Sequence, residues 1–131
     1  MKILEIILLV GLMSLSFSDD GKDQSSCNFS KVDSTLNKVY NHVLAEYKSD
    51  TLFIHRLKDA QRAWVKFRDA HLEARFPTRN KNKPNFEYGS IYPDCACDVL
   101  SMLTNERIQQ LQEWLNGTVE GDGCSGSYKV K

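Results

Sequence analysis

Apolar side chains recur at helical spacing in three stretches of this chain. The first stretch covers about 34–48, the second about 51–75 and the third about 94–115. Positions three and four residues apart lie on one face of a helix, so each stretch predicts one amphipathic helix. The inward faces are Leu36, Val39, Tyr40, Val43, Leu44 and Tyr47; Leu57, Ala60, Gln61, Trp64, Phe67, Arg68 and His71; and Leu100, Leu103, Arg107, Leu111, Trp114 and Leu115.

The connections between these stretches differ in length. Ser49 to Thr51 is a short break, which predicts that the first two helices form an antiparallel hairpin. Pro77 ends the second helix, because the residue before a proline avoids helical geometry. The segment 76–93 has no clean period and carries three prolines. We expect a long loop whose basic first half is exposed and whose aromatic second half folds back onto the helices.

Length and composition favour a single exported domain. The chain has 131 residues, with 17 basic and 17 acidic side chains. Its apolar start is too short to span a bilayer, and Ser16 and Ser18 suit a cleavage site. We predict a signal peptide over 1–18 and a domain over 19–131, with its core at about 27–115 and a flexible tail over 116–131. The balanced charge argues against nucleic acid as a partner, and we expect no membrane association after cleavage.

Four cysteines follow the predicted signal peptide: Cys27, Cys95, Cys97 and Cys124. An even number in a small exported protein favours two disulfides. A bond between Cys95 and Cys97 would close a very small ring, so we expect Cys27 to pair with one of them and Cys124 with the other. A four-thiolate zinc site is the alternative, but the usual two-residue spacer is missing.

No pattern in the chain indicates catalysis. The three histidines form no metalloprotease pair, and there is no nucleophile elbow or glycine-rich phosphate loop. We therefore expect no enzyme, no metal and no cofactor. Gln61 and Arg68 are unusual because they share a face with Trp64. They either join neighbouring helices by hydrogen bonds or line a binding surface.

The second helix also carries a family resemblance. Leu57, Ala60, Gln61, Trp64, Phe67, Arg68, Asp69 and Ala70 resemble the signature of the LprI-type lysozyme inhibitor family. Similar matches are found in the first helix, in the Gly89-Ser90 loop and in the last helix, at Leu36, Asn37, Tyr40, Leu103, Thr104, Arg107 and Leu111. The resemblance covers roughly 27–115. It implies an exported, helical, disulfide-bonded fold in which these motif residues are structural.

The chain departs from the family in its cysteines. Many members carry a cysteine where this chain has Leu72, and its partner near Val99. The family's disulfide pairing therefore does not carry over, and an apolar contact between Leu72 and Val99 would replace that bridge.

The resemblance implies lysozyme as the partner. We expect a loop to enter the sugar-binding cleft of lysozyme, which contains paired carboxylates. The candidate contacts are Arg79, Lys81 and Lys83, flanked by Tyr88, Ser90 and Tyr92. The alternative is an exported helical module that binds a different partner.

Overall fold

The computed structural model describes residues 27–131, which contain four helices and no strand. The helices are α1 (Phe29–Glu46), α2 (Thr51–Arg75), α3 (Pro84–Tyr88) and α4 (Tyr92–Asn116). The all-α fold with three main helices is thus confirmed. The predicted signal peptide and the leader up to residue 26 lie outside the described residues. Within 27–131, no helix is long and apolar enough to cross a membrane.

The first helix begins at Phe29, five residues earlier than the apolar pattern predicts. Its N-cap is Asn28, whose side-chain oxygen accepts a hydrogen bond from the Lys31 backbone at 3.1 Å. This cap satisfies one of the amide groups that a helix start leaves unpaired. Asp50 caps α2 in the same way, through the Phe53 amide at 2.9 Å. The capping side chains therefore set both starts.

Prolines begin helices in the second half of the chain. Pro84 begins α3, a short helix that lies inside the predicted loop. Pro93 lies in the first turn of α4, which starts two residues before the predicted position. A proline is tolerated there because the first amides of a helix have no intrahelical acceptor.

The three long helices lie side by side. α2 runs antiparallel to α1, as predicted, so that Arg68 near its end lies 3.7 Å from Asp33 near the start of α1. α4 runs parallel to α1 and packs along it more closely than along α2. The core between them consists of Leu36, Val43, Tyr47, Phe53, Leu57, Ile108 and Leu111.

A disulfide joins the starts of α1 and α4. Cys27 bonds to Cys97, with 6.0 Å between their Cα atoms, which confirms one of the predicted pairings. The predicted second bridge is wrong, since Cys95 and Cys124 are free. Cys95 lies in the first turn of α4, whereas Cys124 follows its far end. About twenty helical residues separate Cys95 from the far end of α4, and at about 1.5 Å each they span some 30 Å.

The C-terminal segment after α4 folds back onto the ends of α1 and α4. The Tyr47 hydroxyl donates to the Trp114 carbonyl at 3.0 Å and accepts from the Lys129 amide at 3.1 Å. The Lys129 ammonium pairs with Glu46 at 2.9 Å, and the Trp114 indole donates to Ser127. Cys124, the expected anchor of this tail, is exposed and takes no part in these contacts.

Candidate functional site

The loop between α2 and α4 is held at its base by three aromatic rings. Phe76 forms T-shaped contacts with Tyr88 and Tyr92, each at 5.4 Å between ring centroids. The two tyrosine rings stack at 6.0 Å. The Tyr88 hydroxyl donates to the Pro77 carbonyl at 2.5 Å. Tyr88 and Tyr92 therefore fold back as predicted. They support the loop, and their rings are partly buried in doing so.

The three basic side chains of the loop have different surroundings. Lys81 donates to Glu73 of α2 at 2.8 Å, which ties the loop to the helix. Arg79 and Lys83 are exposed and form no ion pair among residues 27–131. The Arg79 backbone amide donates to Glu87 at 3.2 Å. The loop thus offers two free cations and uses the third as a tether.

Phe86 is the most exposed large apolar side chain of the loop. It is 92 % exposed, and Ile91 is 63 % exposed, so the expectation that the whole aromatic half folds back is wrong for these two. Two shallow depressions meet at Phe86: Arg79 lines one and Lys83 lines the other. We call Arg79, Lys83 and Phe86 the loop tip. Phe86 thus shares one depression with Arg79 and the other with Lys83, and the Glu87 carboxylate lines both.

The basic pattern of the sequence indicated this loop, but Phe86 was not among the predicted contacts. Residues two apart on a helix point in nearly opposite directions, so Phe86 and Tyr88 of α3 cannot both face the base. Pro84 at a possible helix start was the signal for this short helix. Ser90, one of the predicted flanking contacts, is exposed.

The family motif on α2 contributes a hydrogen bond between helices. Arg107 of α4 is 8 % exposed, and its Nε donates to the Gln61 side-chain oxygen at 3.0 Å. Its Nη1 donates to Gln110 at 3.1 Å, while Nη2 is buried without a partner in the described part of the chain. Burial lowers the pKa of this guanidinium and raises that of the nearby Tyr40 hydroxyl. Gln61 therefore joins two helices by a hydrogen bond, in agreement with the first interpretation of this polar side chain, and does not simply line a surface.

Arg68 makes its contacts near the end of α2, opposite the start of α1. Its guanidinium lies 5.4 Å from the Trp64 ring centroid and 5.6 Å from that of Phe29, and it pairs with Asp69 at 2.8 Å. Cations over aromatic faces are attracted by the ring quadrupole. Arg68 thus links α2 to the start of α1.

The remaining motif residues divide between core and surface. Leu36 and Leu57 are buried, whereas Phe67 is 54 % exposed and contacts His71. Asn37 donates to Asp33 at 3.2 Å on the surface, and Ala60 is exposed. The motif is therefore only partly a core motif.

No group of three or more possible metal ligands lies together in residues 27–131. The molecule therefore belongs to the class of disulfide-linked helical proteins, and its loop is held by aromatic contacts and exposes Phe86. A family model described as "Lysozyme inhibitor LprI" matches residues 19–111. The chain belongs to this family. Comparison with curated proteins finds no match, and comparison with solved structures finds none either.

Proposed function

We propose that this protein is exported and inhibits lysozyme by inserting the loop tip into the sugar-binding cleft. Membership of the LprI family supports lysozyme as the target, and the Cys27–Cys97 disulfide fits an oxidising compartment. The observation that carries the mode of binding is the exposure of Phe86, which shares its two neighbouring depressions with the exposed Arg79 and Lys83. Aromatic and arginine side chains dominate binding energy at protein interfaces.

The chemistry of the loop tip matches that of the cleft. Lysozyme has an open groove that binds sugar rings, and two carboxyl groups flank the glycosidic bond that it cleaves. An aromatic ring stacks where a sugar would lie, and the cations of Arg79 and Lys83 approach the carboxylates. Such complementarity fixes orientation and raises the association rate.

The support of the loop reduces the cost of binding. The aromatic base around Phe76 and the Lys81–Glu73 pair hold the loop before any partner arrives. A preorganised element loses less conformational entropy on association than a mobile one. We therefore assign Lys81, Tyr88 and Tyr92 to support, and Arg79, Lys83 and Phe86 to contact.

The test is a lysis assay in which bacterial cell walls are cleared by a chicken-type lysozyme. The oxidised chain 19–131 should slow clearing at near-stoichiometric ratios. Phe86→Ser and the double variant Arg79→Gln/Lys83→Gln should each weaken inhibition at least about tenfold, the equivalent of about 1.4 kcal/mol. The matched control is Lys31→Gln/Lys38→Gln, which removes two exposed cations from α1 and should leave inhibition unchanged.

Two outcomes would contradict the proposal in different ways. Full inhibition by both tip variants would refute the loop tip as the contact. No protection by helical, correctly bridged protein against any lysozyme type would refute lysozyme as the target. In that case a different exported partner of the same tip becomes the better hypothesis, and affinity capture with wild type and Phe86→Ser in parallel would identify it.

A further inference from the structure

A second concave surface lies between α1 and α2, away from the loop. Its volume is about 490 Å³, and we call it the α1–α2 groove. It exists because α1 packs closely on α4 but makes little close contact with α2. Its lining consists of Tyr40, Leu44, Lys58, Gln61, Arg62, Val65 and Lys66.

The floor of the groove is apolar and incompletely covered. Three members of the apolar stripe of α1 are buried against the core, but Tyr40 and Leu44 are only half-buried. On the α2 side, Val65 is 36 % exposed. The apolar face of the hairpin is therefore wider than the area that α4 covers.

The rim of the groove is cationic and contains no carboxylate. Lys58, Arg62 and Lys66 follow one another at four-residue spacing along α2 and so line one side. Asp59 neutralises Arg62 by an ion pair, but Lys58 and Lys66 have no such partner among the described residues. Behind the floor, Gln61 is bonded to the buried Arg107, which adds a further positive charge.

We propose that the α1–α2 groove binds a small amphiphilic anion, with a carboxylate, sulfate or phosphate group attached to a hydrocarbon chain. The volume falls within the range of about 300–1,000 Å³ that small-molecule sites occupy. Its lining of seven residues is smaller than the roughly 20–30 residues that each side of a protein interface contributes. From Lys58 to Lys66, eight residues at about 1.5 Å each span about 12 Å, which suits a medium-length chain.

The proposed arrangement uses each part of the groove. The anionic group lies at one end of the groove, at the ammonium group of Lys58 or of Lys66, and the hydrocarbon chain runs along the groove over Leu44 and Val65. Burying that apolar surface favours binding, while charge complementarity orients the ligand. This site does not depend on the loop tip or on lysozyme, so the two proposals fail independently.

The test uses decanoate as the probe, below its micelle concentration, with calorimetry and amide chemical shifts of the chain 19–131. Decanoate should bind at one site and shift the amides of Leu44, Gln61 and Val65. Decyltrimethylammonium, with the same chain and the opposite charge, should bind at least tenfold more weakly. Lys58→Gln/Lys66→Gln should weaken decanoate about tenfold, whereas the control Lys31→Gln/Lys38→Gln should not.

A second variant separates the apolar contact from the charge. Val65→Glu leaves the rim cations in place but adds a carboxylate to a partly exposed edge, and it should also weaken decanoate at least tenfold. Equal affinity for the two probes, or shifts confined to other residues, would overturn the site. If an acidic amphipathic peptide shifted these amides and decanoate did not, the groove would instead be a protein-docking surface.

Discussion

Arg107 shows how one polar side chain can define the contact between two helices. It is buried where α2 meets α4, and within residues 27–131 its hydrogen bonds go to Gln61 and Gln110 alone. A buried charge without a counter-ion is costly, so each of these bonds matters more than a surface bond would. The pair selects one alignment of α2 against α4, because any other alignment would leave the guanidinium with fewer partners.

We predict that Gln61→Leu destabilises the protein by about 1.5–3 kcal/mol, the usual contribution of a hydrogen bond to a charged group. The double variant Gln61→Leu/Arg107→Met should be more stable than Gln61→Leu alone, because it removes the stranded charge along with its acceptor. Urea unfolding of the variants measures both values.

The control for this pair is Gln109→Leu, which replaces an exposed glutamine on α4. It should change stability by no more than about 0.5 kcal/mol. If Gln61→Leu behaved like this control, the hydrogen bond would have no role in stability.

At the scale of elements, the C-terminal segment closes the open end of the bundle. Tyr47 at the end of α1 bonds to both α4 and the segment, and Lys129 covers its ring at 4.6 Å while pairing with Glu46. Gly117 makes the turn possible. It has a φ of +71°, and an added Cβ would lie 2.5 Å from the Lys129 carbonyl. Glycine is the residue that adopts this conformation at no steric cost.

This closure predicts a dependence on pH. The hydrogen bond from Lys129, and then its charge, hold the pKa of Glu46 below its ordinary value of 4.5. A lowered folded-state pKa means that the contribution is present above pH 4.5 and is lost as the pH falls through the folded-state value. The stability difference between wild type and Glu46→Gln should therefore be seen at pH 7 and shrink at pH 3.

Urea unfolding at both pH values checks this expectation. Asp122 adds a change of the same sign, because the Cys124 amide and then Thr118 lower its pKa. Comparison with Glu46→Gln isolates the Glu46 contribution. Glu106→Gln is the control, with an exposed carboxylate on α4 and no ion pair among the described residues. A Glu46 difference that is the same at both pH values would contradict the predicted role.

The whole molecule is a bundle linked at both ends. The disulfide joins α1 to α4 at one end, and the C-terminal segment joins them at the other. α2 packs less closely on the other two long helices and carries both proposed sites, the groove along its middle and the loop after its end. Attachment to a rigid α1–α4 pair allows these surfaces to stay exposed without unfolding the protein.

Removing the disulfide should destabilise the chain strongly. The bond closes a loop of 70 residues, which corresponds to about 4 kcal/mol in the loop-entropy model. Cys27→Ser/Cys97→Ser should therefore lower the free energy of unfolding by about 2–5 kcal/mol. Cys95→Ser/Cys124→Ser should change it by less than about 0.5 kcal/mol. Thiol titration of the unfolded wild type should find two thiols per chain, and none would refute the single-bridge assignment.

The helical period by itself determined the three long helices, the antiparallel hairpin and most of the inward faces, although Ala60 and Phe67 of the predicted inward face are exposed. Local rules suffice here, since burial of Leu36, Leu57 and Leu111 follows from their spacing. The motif around Gln61 and Trp64 is enough to indicate the family from the sequence. The basic half of the loop was also predictable, because Arg79, Lys81 and Lys83 have no apolar neighbours in sequence that would bury them.

Only the tertiary structure decided which residues meet across the chain. Parallel α1 and α4 bring Cys27 to Cys97, and the length of α4 separates Cys95 from Cys124. The exposure of Phe86 and the anchoring by Tyr47 depend on contacts between residues far apart in sequence. The α1–α2 groove likewise results from the choice of α4 as the partner of α1. Periodicity states which face of a helix is apolar, but the packing of the other helices determines how much of that face they cover.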